Sequence, residues 1–170
     1  MSLEIKECDI NFNEIVLNSD LNQDTKNKIM DSALVFLPNS FLNSNSKRQF
    51  AAETSDLYKY IKQTHPEIKS SFFENPGEEK TEILCSAYIV LPDIFIDLAK
   101  DIAIPIIVQI LSSYVYDKLG GIIKPNDRVK TDIYYTDNDS KTMNIKYDGP
   151  MSGLKDIEKM INSGENKKNE

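Results

Sequence analysis

Apolar positions are unevenly spread along this chain, and the densest run, Leu91 to Ile123, organises the reading of the rest. From Ile102 to Tyr116 the run holds no charged residue. A membrane-spanning helix needs about 20 apolar residues, so this length suits a buried helix. At helical spacing, Phe95, Leu98, Ala99, Ile102 and Ile106 line one side, with Asp93, Asp97 and Lys100 opposite. Beyond Pro105 the sides exchange, and Ile104, Val108, Leu111 and Val115 occupy what was the charged side. An internal proline kinks or breaks a helix. The pattern therefore predicts a long buried helix kinked at Pro105, its two halves packing on different partners. One partner is the domain's own sheet, and the other a second protein chain or a lipid surface. A central helix wrapped by a single core is the plainer alternative, and base rates for globular domains favour it.

Elsewhere the periods are shorter. Leu3 to Leu17 alternates in part through Ile10, Phe12 and Val16 and predicts one bulged strand or two short ones. Ile29, Ala33 and Phe36 recur at helical spacing and predict a helix over 23–37, stopped by Pro38. Phe50, Leu57 and Ile61 predict a second helix over 48–64, closed at His65-Pro66. Strands are expected at 67–73 and, apolar on both faces, at 81–90. Glu74-Asn75-Pro76-Gly77 is a turn. Arg128–Thr136 and Thr142–Tyr147 alternate about a polar turn and form the clearest hairpin. Gly149-Pro150 ends it, and Leu154, Ile157 and Ile161 mark a short amphipathic helix.

These elements predict an α+β protein: a small, mainly antiparallel sheet, three to four helices around the kinked one, and a C-terminal hairpin plus helix. A soft boundary near Lys124 separates a core domain, 1–123, from a hairpin-helix module, 124–162, packed on it. Residues 163–170 form a polar tail expected to be disordered.

Composition narrows the function more than any motif does. With 40% hydrophobic and 28% charged residues, full disorder is not expected. A net charge of −7 argues against nucleic acid and against anionic membrane surfaces, and suits a basic protein partner. Cys8 and Cys85 are too few for a disulfide framework and read as small buried hydrophobes in a reducing compartment. The first residues lack a basic segment followed by an apolar core, so no signal peptide is expected. The abundance of Asn, Lys, Ile and Asp matches an AT-rich bacterial genome.

Chemistry-bearing patterns are sparse. One histidine, His65, and two separated cysteines do not give zinc spacing, and no metal or cofactor is expected. Asp137-Asn138-Asp139-Ser140 lacks the glycine and distal glutamate of a calcium loop and reads as a turn. No phosphate loop, dinucleotide fingerprint or nucleophile elbow is present, and no catalytic residue is assigned. Asp93, Asp97 and Asp101, four apart, would form one acidic stripe on a helix. With Ile104, Val108, Leu111 and Val115 they make the candidate interface. The expected function is a non-catalytic, cytoplasmic binding or regulatory protein, such as an immunity, adaptor or defence-system component. Its partner would be a second copy (a homodimer) or a basic protein. A hydrolase with a carboxylate-rich site and no local motif is one alternative. A peripheral membrane protein using 102–116 is the other.

Overall fold

A mixed sheet is the middle layer of an α+β fold, seen in a computed structural model that describes residues 1–39, 41–42, 47–78, 81–83, 89–119, 127–136 and 140–159. The strands are β1 (Ser2–Cys8), β2 (Leu34–Leu37), β3 (Gln49–Ala51), β4 (Ser70–Phe72), β5 (Thr81–Ile83), β6 (Ile89–Val90), β7 (Asp93–Ile96), β8 (Arg128–Thr136) and β9 (Thr142–Pro150). The helices are α1 (Phe12–Asn18), α2 (Gln23–Asp31), α3 (Thr54–Thr64) and α4 (Ile104–Leu119). Among the described residues the main sheet has the order β1-β9-β8-β7-β2-β4, with β6 also on β8, while β3 and β5 form a separate parallel pair. The longest pairings, β1–β9 and β8–β9, are antiparallel. Those of β7 with β8 and of β2 with β4 are parallel.

Alternation along the strands sends side chains to two cores. Leu34, Phe36, Ile94, Ile96, Ile133, Tyr135, Ile145 and Tyr147 meet α3 and α4 on one face. Val35, Leu37, Phe95 and Tyr134 meet Phe12 and Val16 of α1 and Ile29 of α2 on the other. Both helices of the first face are crossovers between parallel neighbours, α3 from β2 to β4 and α4 from β7 to β8. Since β2 and β7 run oppositely and the crossovers diverge, the usual right-handed connection puts α3 and α4 on the same side. Tyr114 on α4 donates to Glu53 Oε2 at 2.5 Å, and its ring meets Tyr60 of α3 edge-on at 5.4 Å.

The Leu91–Ile123 run is not one kinked helix. Its first part continues the sheet: β6 and β7 follow each other along β8, with Leu91 to Asp93 opposite only Thr131 and Asp132. This is a one-residue bulge. Leu98–Lys100 is a 3-10 turn capped by Asp97, and Asp101 takes the left-handed conformation at φ 57° before α4. Pro105 lies in the first turn of α4, where a missing N–H breaks no helical bond. The face switch at Pro105 is thus a change from strand to helix.

Three further predicted elements are corrected. Residues 3–17 divide into β1 and α1, and residues 23–37 into α2 and β2. Residues 48–64 divide into β3 and α3. Strands β8 and β9 pair antiparallel throughout, but they lie within the sheet, between β1 and β7, rather than on a finished core. β9 runs on through Gly149 to Pro150, and a 3-10 turn, Met151–Gly153, precedes a helical turn at 156–159. Leu154 and Ile157 are buried there. Cys85, Gly120-Gly121, the turn residues 137–139, Met160, Ile161 and the tail 163–170 lie outside the described residues.

Candidate functional site

Two surface concavities lie on or beside the α1/α2 face of the sheet. The larger, about 990 Å³, opens between α1 and the segments that follow β2 and β4. Helix α1 is fixed at its start by Asn11, whose Oδ1 accepts from Glu14 N at 3.3 Å. Phe12 anchors the helix below, stacked on Phe95 at 3.7 Å and tilted against Phe73 at 6.4 Å. Phe41, edge-on to Tyr134 at 5.1 Å, holds the opposite wall. The floor therefore carries Ile10, Ile15, Phe41 and Phe73, and Leu42, 57% exposed, stands at the mouth.

The rim is acidic: Asp9, Glu14, Asp20, Glu74 and Glu78 line it, and the cations among the described lining residues are Lys47 and Arg48. Arg48 is itself held. It bonds Asp20, donates to Glu78 Oε2 at 3.1 Å and lies 5.8 Å from the Phe73 ring centre. The Asn75 side chain ties the rim together, accepting from Asn22 N at 2.8 Å and donating to Glu78 Oε1 at 3.0 Å. Gly77 makes this turn feasible with φ 85°, a conformation costly for other residues. Chemically, the groove offers an apolar floor inside a rim of five carboxylates and two cations, with Asp20 and Glu78 already paired to Arg48.

The smaller depression, about 410 Å³, lies on the part of the sheet face bearing charged residues. Glu4, Lys146 and Asp132 form one row across β1, β9 and β8, with Lys146 Nζ 3.8 Å from Asp132 Oδ2. Asp93 follows across the bulge. Burial, and then the negative charge of Asp132, push the Asp93 carboxyl up to about 7. Burial also raises Asp132, against the pull of Lys146. Burial and these two aspartates raise the Tyr134 phenol well above its ordinary value. Such a carboxyl can hold or release a proton near neutrality.

The predicted interface residues are not brought together as one surface. Asp93 is on β7, Asp97 Oδ1 accepts from Ala99 N at 3.0 Å, and Asp101 occupies the turn before α4. Without a helix there, no acidic stripe forms. Ile104, Val108, Leu111 and Val115 are all buried, packed into the chain's own core beneath the sheet. Among the described residues of α4 the exposed large apolar ones are instead Ile106 and Tyr116. His65 Nδ1 lies 2.9 Å from Thr64 Oγ1 at the end of α3. Among the described residues no three metal-binding side chains converge. The groove was missed because its rim is assembled from three separated segments, each of which reads as an ordinary polar turn or helix face. No protein-family model, curated protein or solved structure matches this chain.

Proposed function

We propose that this is a non-catalytic binding protein that docks a basic, partly apolar segment of a protein partner in the groove beside α1. The observation that carries the reading is the acidic rim around an apolar floor. An interface core of aromatic and aliphatic side chains with complementary charge at its margin is how specific partners are held and steered. The net charge of −7 supports the same sign of partner. An immunity, adaptor or defence-system component of the bacterial cytoplasm fits this chemistry. The test is a titration of the isotope-labelled protein with a Lys/Arg-rich peptide carrying one central leucine, followed by amide shifts. Shifts should cluster at Ile10, Glu14, Leu42 and Phe73, weaken with salt and vanish in Glu14→Lys/Glu74→Lys. Shifts spread over every acidic surface would overturn the reading.

A hydrolase reading rests on one observation, the near-neutral Asp93 carboxyl beside Asp132. A hydrolytic activity lost in Asp93→Asn and retained in Glu14→Lys would replace the binding reading. The membrane reading draws no support, because the 102–116 stretch is largely buried in its own core. Among the described residues no helix is long and apolar enough to cross a membrane.

A further inference from the structure

The outer edge of β1 carries a pattern that matches itself. Among the described residues β1 pairs with β9 alone, along its full length from Ser2 to Cys8. An edge strand of about 24 Å is a ready template for another strand, and charged side chains normally guard it. Here the guard is specific. Glu4 and Lys6 point to the polar face of the sheet, with Ile5 between them on the core side. We propose that β1 is the interface with a second copy of this chain, the two strands pairing antiparallel about a two-fold axis at Ile5.

In that register Ile5 faces Ile5 of the second copy, and Glu4 faces its Lys6, twice by symmetry. The row Asp132, Lys146, Glu4 alternates in sign across the sheet and ends at the edge on a carboxylate. The second copy places an ammonium next in line. Shifting the axis to Glu4 sets two carboxylates opposite each other, and shifting it to Lys6 sets two ammonium groups opposite. Like charges directly opposite are destabilising, so both adjacent registers are disfavoured. On the core side the same register sets Ile5 against Ile5 and Leu3 against Glu7 of the second copy. Leu3 and Ile5 are half-buried against the margin of the main core, which a second Ile5 would extend. The side chains of Glu4 and Lys6 are 56% and 47% exposed and 3.9 Å apart, close enough to exchange partners without repacking the core. This inference does not depend on the groove, which lies on other elements.

Charge exchange tests it on the full chain. The wild type should sediment as a dimer at about 100 µM, a concentration suited to the modest affinity of small interfaces. Glu4→Lys and Lys6→Glu should each raise the dimer dissociation constant about tenfold or more, since both pairs become like-charged. Glu4→Lys also lowers the net negative charge, so general repulsion predicts the opposite result. An equimolar mixture of the two variants should dimerise. In the mixed pair the Glu4→Lys chain presents an ammonium at both positions and the Lys6→Glu chain a carboxylate at both, so each facing pair is again opposite in sign. Recovery in the mixture shows that both variants are folded. A monomeric wild type at that concentration, or single variants as dimeric as the wild type, would overturn the proposal.

Discussion

Asp93 shows how much a residue's neighbours decide its chemistry. As part of a helical stripe it would be a solvated charge, but on β7 it is half-buried beside Asp132. Its folded value, about 7, lies above the ordinary 3.8. A raised carboxyl contributes stability that is complete below the unfolded value and lost as pH rises through the folded one. Stability tied to Asp93 therefore falls between about pH 4 and pH 7, by on the order of 4 kcal/mol. Asp31 and Asp156, lowered by Lys69 and Lys159, and Asp148, lowered by Arg128 and Lys130 against an opposing burial effect, act with the reverse sign at lower pH. Comparison with Asp93→Asn isolates the effect. The variant should gain on the wild type in urea midpoint at pH 8 and lose that advantage at pH 4. A second residue-scale prediction concerns Gly153, where a Cβ would collide with the Tyr147 hydroxyl that donates to Pro150 O. Gly153→Ala should cost about 1–3 kcal/mol in chemical denaturation, the usual range for overpacking.

At the scale of elements, the sequence was legible where one period ran unbroken. Strands β8 and β9 and the second half of the 48–64 stretch carry alternation or helical spacing without interruption, and there the chain forms paired strands and α3. It failed where a fully buried strand abuts a helix. Leu34–Leu37 is apolar at every position because both sheet faces are covered, so it has no period of its own. Ile29, Ala33 and Phe36 then imitate a helical face across the junction. Ser32, whose Oγ donates to Lys28 O at 2.7 Å, marks the true end of α2. The same ambiguity joined β7 to α4. Pro105→Ala distinguishes the two arrangements. In a helix interior, removing proline should stabilise by about 3 kcal/mol, whereas in the first turn the change should stay below about 1 kcal/mol. Leu111, 1% exposed beneath the sheet, is the matching core test. Leu111→Asp should be insoluble or unfolded, because an unpaired buried carboxylate costs several kcal/mol against a domain stability of about 5–15.

The whole molecule is built outward from strands that arrive last in the chain. β8 joins β9 to β7, and β9 is the described partner of β1, so the N-terminal strand is held by the C-terminal hairpin. A sequence boundary near Lys124 follows composition and cannot see this, because strand order is a long-range property that local periodicity does not encode. The groove was invisible for a related reason, its floor joining residues near positions 10, 41 and 73. Deleting 125–170 tests the arrangement. If the hairpin were an appended module, residues 1–124 would remain folded and soluble. In the observed order the deletion removes two adjacent strands and strips one side of β7. It uncovers the α4 core around Val108 and Val115 and leaves β1 without its partner. The truncated chain should aggregate and lose cooperative thermal unfolding. A soluble fragment with a sharp transition would show that the core closes without β8 and β9.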